Sequence, residues 1–431
     1  MNNTTVIEAE KGTQGQLQAK EQELARHYER LCKQGLKLDL TRGKPSEAQL
    51  QLAAGLDGIL ASDCRAPDGT DCRNYGTSQG LTCTRKLGAD LLQVPHEEVI
   101  AAGNSSLTLM YQAVLTGYLY GFGGDAQPWR SLEHPKFICP SPGYDRHFTI
   151  CEQLGIDMVS VPMTDIGPDM DAVETLLRED PEIVGIWCVP KYSNPTGVTY
   201  HQDTLERLAQ ASTHASPGFR IFWDNAYAIH DWFEHTYLGD MRSTCLEYGV
   251  DDKLIQFGST SKITFAGGGV AFVSSTEQNL EALARVMNAM SIGPDKVNQL
   301  RHSRLFAEFT GLREHMAGHA EILRPKFECV YRHLREHFDG DGPEQWHETN
   351  GGYFVSFNTR PGCAKYVVEL AARAGIKLTP AGATFPYGED PQDSNIRIAP
   401  TYPPLDQLDT AMATFVLCVE LAAVRQQLGM I

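Results

Sequence analysis

Four stretches carry residue types suited to chemistry, and their order along the chain matters as much as their content. Ser259-Thr260-Ser261-Lys262 follows an apolar run over 253–257 and precedes Gly267-Gly268-Gly269. A lysine amine condenses with a carbonyl to a Schiff base only when partly deprotonated. It therefore needs surroundings that depress its pKa and small neighbours that leave room for a bulky partner. The serines and glycines leave that room, although a Ser/Thr-rich turn ending in lysine is also an ordinary surface feature. Ser193-Asn194-Pro195-Thr196-Gly197 follows the apolar run 183–190, and Asp224-Asn225-Ala226-Tyr227 follows the run 219–223. An aspartate so placed can pair with a protonated ring nitrogen, while an asparagine and a tyrosine can hydrogen-bond a phenolate oxygen. The last stretch is Asn395-Ile396-Arg397-Ile398-Ala399. An arginine between two isoleucines in a strand is hard to explain as an exposed charge.

The elements that must position these residues follow from apolar patterning. From residue 157 the chain alternates strand 158–162, helix 170–178, strand 183–189, helix 204–211 and strand 220–223. Such alternation predicts a mostly parallel sheet with helices on both faces. The polar stretches then lie at the carboxyl ends of buried strands, where open α/β sheets bind ligands. Upstream, a strand over 137–140 leads into the loop Ser141-Pro142-Gly143-Tyr144-Asp145-Arg146. Gly103-Asn104-Ser105-Ser106 opens a helical run over 107–120. A helix start presents unpaired N–H groups that can cradle a phosphate, and ordinary capping by Asn104 or Ser105 is the competing account.

Helical spacing of Leu17, Leu24, Tyr28 and Leu31 predicts a helix over 17–33 after a mobile lead-in of sixteen residues. The pattern over 306–337 predicts a long helix joining two domains, with a break near Pro325. The apolar run 414–424 contains Glu420 and is too short to span a bilayer, so it is expected as a core helix.

The 431 residues suffice for two domains. A net charge of −17 disfavours nucleic-acid and anionic-membrane partners, which usually require a basic face. The polar, acid-bearing N-terminus does not read as a signal peptide. The spacing of Cys64, Cys72 and Cys83 does not suggest zinc; no metal site is expected, and free cytosolic thiols are the reading of the cysteines.

Taken together, the ordered series Asn194, Asp224, Tyr227, Lys262 and Arg397 resembles the fold type I pyridoxal-phosphate enzymes, specifically class I aminotransferases of the aspartate aminotransferase kind. The resemblance runs from about residue 38 to the C-terminus. It implies an α/β fold: a large domain with a mixed, mostly parallel seven-stranded-type sheet flanked by helices, and a smaller α+β domain. The expected layout is a mobile segment 1–16, a helix and part of the small domain over 17–70, the large domain over 71–310 and the rest of the small domain over 311–431.

The resemblance further implies pyridoxal 5′-phosphate as cofactor, a cytoplasmic homodimer with shared active sites, and small-molecule amino-acid and 2-oxo-acid substrates. Lys262 is then the Schiff-base lysine, Asp224 the partner of the pyridine nitrogen, and Tyr227 and Asn194 the partners of its phenolate oxygen. Tyr144 is the candidate for stacking on the ring, and Tyr75 for reaching the neighbouring subunit's phosphate. Arg397 would clamp the substrate α-carboxylate, with Gly43 and Asn194 close by, and Arg146 or Lys296 would take a distal carboxylate. Arg146 and Arg42 read equally well as surface charges, while a helix-start charge at Lys296 and a solvated surface charge at Lys44 are the preferred plain readings. The chain departs from the commonest pattern at Val270, where an arginine usually clamps the phosphate. Ser259, Ser261, Asn104, Ser105, Ser106 and backbone N–H groups near Gly267 are the remaining phosphate donors. The expected activity is transfer of the amino group of L-aspartate to 2-oxoglutarate. Aromatic, kynurenine-type or alanine donors, or a β-lyase reaction on the same scaffold, are the alternatives.

Overall fold

The computed structural model describes residues 3–41, 43–124, 126–307, 309–338 and 342–431, with side chains described from residue 14 onward apart from residues 309 and 310. Arg42 lies outside the described residues. The chain forms two compact units. One comprises residues 1–43, 323–348 and 353–431, and the other residues 44–322 with 349–352.

Strands are numbered in chain order, beginning with β1 (Leu38–Asp39) in the smaller unit. The larger unit holds β2 (Val99–Ala101), β3 (Lys136–Ser141), β4 (Asp157–Thr164), β5 (Gly167–Pro168), β6 (Ile183–Cys188), β7 (Arg220–Asp224), β8 (Leu254–Ser259) and β9 (Ala271–Ser274). They form one sheet in the order β2-β9-β8-β7-β6-β3-β4-β5. The pairs from β8 through β7, β6 and β3 to β4 are parallel, while β9 runs antiparallel to both β2 and β8. The expectation of seven strands is exceeded by the two-residue β5, which folds back on β4.

Alternation sorts the central strands between two cores, because successive side chains point to opposite faces. Phe137, Cys139, Phe222, Ile255 and Phe257 join Leu109, Ala113, Phe148 and Leu283 on one face. Ile138, Ile186, Ile221, Trp223 and Leu254 join Val173, Leu177, Leu205 and Leu208 on the other. Asp224 follows Phe222 by two residues and so emerges on the first face, toward the helix Asp145–Leu154. Trp187 is buried in the first of these clusters.

In the smaller unit β10 (Gln345–Trp346), β11 (Val355–Asn358) and β13 (Asn395–Ile398) form an antiparallel sheet, and β12 (Ile376–Lys377) pairs in parallel with β1. The first helix spans Asn3–Cys32, beginning well before Leu17, and Tyr28 Oη donates to Leu370 O at 2.9 Å. The helix Phe309–His337 continues through Pro325 without the expected break. The C-terminal helix extends over Leu405–Gln427 rather than 414–424. Its 23 residues are long and apolar enough to cross a membrane, but 67% of its most apolar window is buried, as befits a core helix.

Candidate active site

Five loops leave the carboxyl ends of β2, β3, β6, β7 and β8, and each carries residues singled out from the sequence. Asp224 is the last residue of β7 and is 3% exposed. Its Oδ2 lies 3.2 Å from His147 Nε2. Its Oδ1 is buried and has no hydrogen-bond partner among the described residues. A carboxylate oxygen left bare in a protein interior is costly unless a ligand donates to it. The His147 ring stacks on Trp187 with centroids 4.2 Å apart and planes 11° off parallel, while Tyr144 meets it edge-on at 4.9 Å. Tyr144, His147 and Asp224 are thus one packed group. His147 was not anticipated. The available signal was its place three residues beyond Tyr144, one helical turn along the helix that begins at Asp145.

Lys262 Nζ sits 4.9 Å from the centroid of the buried Tyr227 ring. Tyr227 in turn meets His230 edge-on at 5.6 Å. Burial, followed by the positive charges of Lys262, His319 and Lys191, holds the His230 pKa well below its ordinary value. Asn194 is 3% exposed in the turn closed by Gly197 N donating to Ser193 O. The same loop is anchored by Lys191 and Tyr192, which both meet Asp231, at 2.8 Å and 2.5 Å.

The backbone beside Lys262 is held from below by histidines. His315 Nε2 and His319 Nε2 both reach Ile263 O, at 2.6 and 2.9 Å, and Gln49 Nε2 lies 3.1 Å from His319 Nδ1. His302 bonds Thr264 Oγ1 at 2.9 Å. Burial lowers the pKa of all three imidazoles, that of His319 to about 4.

The lysine loop and the helix Ser106–Tyr120 are cross-linked. Ser261 Oγ donates to Asn104 O at 2.9 Å, and Asn104 Nδ2 donates to Gly267 O at 3.2 Å. Ser259 Oγ lies 3.2 Å from Ser261 Oγ. Ser105 occupies the N-cap position of the helix but makes no side-chain capping bond. The Ser105 side chain therefore does not satisfy the first-turn N–H groups. Val270 is fully buried, and its N–H goes to Thr260 Oγ1 at 2.9 Å. Asn298, another residue not anticipated, donates to Gly268 O and Gly269 O at 2.9 Å each and braces the glycine run.

Tyr75 is 80% exposed. Lys296 is buried, and its ammonium donates to Gly76 O at 2.8 Å. Arg146 is exposed on the first turn of its helix. In the smaller unit Arg397 pairs with Ser356 across β13 and β11 and is 6% exposed. Its guanidinium stacks on Phe354 at 4.8 Å, and Nη2 donates to Thr379 Oγ1 at 3.4 Å. Thr379 Oγ1 donates in turn to Thr41 O, and a Cβ at Gly43 would fall 2.6 Å from Phe354 Cζ. A side chain at Gly43 would have to displace the Phe354 ring, so Gly43, Phe354, Thr379 and Arg397 form one close-packed cluster.

This sheet, with its chemistry at the strand ends, defines a fold type I pyridoxal-phosphate transferase. The chain belongs to the aspartate amino-transferase family, whose model matches residues 13–430. It is 46% identical over 408 residues to an aminotransferase of Mycolicibacterium smegmatis, covering 94% of this chain and 95% of that one. It is 44% identical over 407 residues to the aspartate aminotransferase of Corynebacterium glutamicum, covering 93% of each. The crystal structure of an aspartate transaminase from C. glutamicum superposes with a TM-score of 0.92 at 43% identity, over 96% of this chain and 97% of that one. More distant relatives, 22% and 25% identical, are an aromatic-amino-acid aminotransferase of Thermococcus litoralis and a 2-aminoadipate transaminase of Thermus thermophilus. The protein is accordingly a pyridoxal-phosphate-dependent transaminase. The residues present fit that cofactor. The bare Asp224 Oδ1 suits a pyridinium N–H, the uncapped start at Ser105 suits a phosphate, and Lys262 beside Tyr227 supplies the amine.

Proposed function

We propose that the protein moves the amino group of L-aspartate to 2-oxoglutarate, giving oxaloacetate and L-glutamate. The observation that carries this reading is the 44% identity, over 93% of each chain, to an enzyme named for aspartate. The buried Arg397, lying over the Phe354 ring, supports it. Its planar fork can hold an α-carboxylate through two parallel hydrogen bonds, and its apolar surroundings strengthen them.

Pyridoxal phosphate, when bound, supplies an electron sink that stabilises negative charge at the substrate Cα. Asp224 Oδ1 accepts the pyridinium N–H and keeps that nitrogen protonated, while His147 holds the carboxylate in orientation through Oδ2. Tyr144 fixes the plane of the ring. Tyr227 and Asn194 hydrogen-bond the phenolate oxygen. Backbone N–H groups at Ser105 and Ser106, with the Ser259 and Ser261 hydroxyls, hold the phosphate in place of the missing arginine. Lys262 Nζ would hold the cofactor as its amine partner and, once freed, would take the proton from the substrate Cα. Arg146 is the stronger candidate for the distal carboxylate, because it is exposed whereas Lys296 already donates to Gly76.

The protein acts as a cytoplasmic homodimer in this reading. Eleven free cysteines fit a reducing compartment. Tyr75, Met290 and Ile292 are 80%, 62% and 66% exposed, and Lys296 and Gly293 bring the last two residues' loop against Gly76. A second subunit would cover this apolar patch. The test is a panel of amino donors assayed with 2-oxoglutarate. Aspartate should rank first in kcat/KM; a higher rank for aromatic donors or 2-aminoadipate would replace the aspartate assignment with that of the more distant relatives.

A further inference from the structure

The helix Phe309–His337 sets Cys329 and His333 four residues apart on one face, and the helix Leu405–Gln427 brings Asp409 to them. All three residues belong to the smaller unit. His333 Nε2 lies 2.9 Å from Asp409 Oδ1, and Cys329 Sγ lies 3.7 Å from the same oxygen. The three donor atoms all fall within 4.8 Å of one another. A tetrahedral zinc ion with Zn–S of about 2.3 Å and Zn–N or Zn–O of about 2.0–2.1 Å holds its ligand atoms about 3.3–3.6 Å apart. The two shorter separations bracket that spacing. Little more than rotamer adjustment would be needed to meet it.

The cation that already lies beside these three atoms is informative. Arg332 Nη2 donates to Asp409 Oδ1 and lies 3.4 Å from His333 Nε2 and 3.9 Å from Cys329 Sγ. One cationic nitrogen thus stands against all three donor atoms, so they converge on a centre that accepts positive charge. Cys329 and His333 are 6% and 7% exposed, and therefore held by packing, whereas the Arg332 side chain is 48% exposed. Arg332 Nη1 is also 3.7 Å from Glu336 Oε2, an alternative partner one turn along the helix. Release from Asp409 leaves the guanidinium paired.

We propose that Cys329, His333 and Asp409 form a zinc site, with water as the fourth ligand on the exposed side of Asp409 and with Arg332 as the resident cation that zinc displaces. A soft thiolate and an imidazole beside one carboxylate suit zinc and disfavour magnesium or calcium, which take oxygen donors. Binding releases the Cys329 thiol proton to solvent as the Zn–S bond forms. The ion would staple the two helices and take no part in amino transfer.

The test is to strip purified holoenzyme of metal, titrate it with Zn²⁺ against a chromophoric chelator, and repeat with Co²⁺ to read the thiolate-to-cobalt absorption. One ion per chain is expected, with the cobalt band lost in Cys329→Ser and affinity weakened by about tenfold or more in His333→Gln. Arg332→Gln removes the competing cation and should tighten binding about tenfold, a gain that misfolding does not produce. Retained circular dichroism and transaminase activity confirm folding of each variant. Absence of stoichiometric zinc, a cobalt band that survives Cys329→Ser, or unchanged or weaker binding in Arg332→Gln would overturn the proposal.

Discussion

His147 Nε2 and Asp224 Oδ2 are 3.2 Å apart with their side chains 2% and 4% exposed, which leaves the other oxygen of the carboxylate to face a ligand. A buried carboxylate held on one side by an imidazole cannot rotate away from a ring nitrogen on the other. Replacing His147 by Leu removes that hold and strips a buried charge of its one described partner. Cofactor affinity of the apoenzyme, read by absorbance titration, should fall about tenfold or more, with partial recovery in His147→Asn. Unchanged affinity in the leucine variant would deny His147 its positioning role.

Arg397 makes the sharpest substrate prediction. Its fork is stacked on Phe354 and steadied by Thr379, a geometry that a flexible ammonium does not reproduce. Arg397→Lys should lower kcat/KM for every amino donor by about tenfold to a hundredfold, chiefly through KM, while cofactor absorbance stays as in the wild type. A loss confined to dicarboxylic donors would instead place this arginine at the distal carboxylate.

The histidines under the lysine loop predict an acid limit to stability. Burial pushes the His319 pKa down to about 4, from an ordinary value near 6.5, and lowers those of His230, His302 and His315 as well. Between these values the unfolded chain binds a proton that the folded one refuses. The His319 contribution is therefore complete above pH 6.5, falls as the pH drops toward 4 and levels off below it, amounting to roughly 3 kcal/mol, and the other buried histidines act in the same direction. Thermal melts of the apoprotein from pH 7.5 to 4.5 should show this slope, and His319→Gln should reduce it. Parallel slopes for the two proteins would contradict the assignment.

The sheet was legible because its strands are short, largely apolar and mostly separated by helical periods, and because each polar stretch begins where an apolar run ends. Asp224, Tyr227, Asn194 and Lys262 could be placed for that reason. Contacts between distant segments were not legible in the same way. His147 meets Asp224 across 77 positions, and Asp409 meets His333 across 76, so a sheet crossover and a helix pairing had to be known first. The N-terminal helix was underestimated because residues before Leu17 lack an apolar stripe. Pro325 looked like a break because proline removes one intrahelical bond, a loss that the long helix absorbs.

The central claim is that Lys262 carries the cofactor covalently. Borohydride reduction of the holoenzyme, followed by peptide mass analysis, should place a phosphopyridoxyl group on the peptide containing Lys262 and on no other. In Lys262→Ala the cofactor should still bind but remain removable by dialysis, with transaminase turnover abolished. Labelling of a different lysine, or turnover in the alanine variant near the parent rate, would contradict the account.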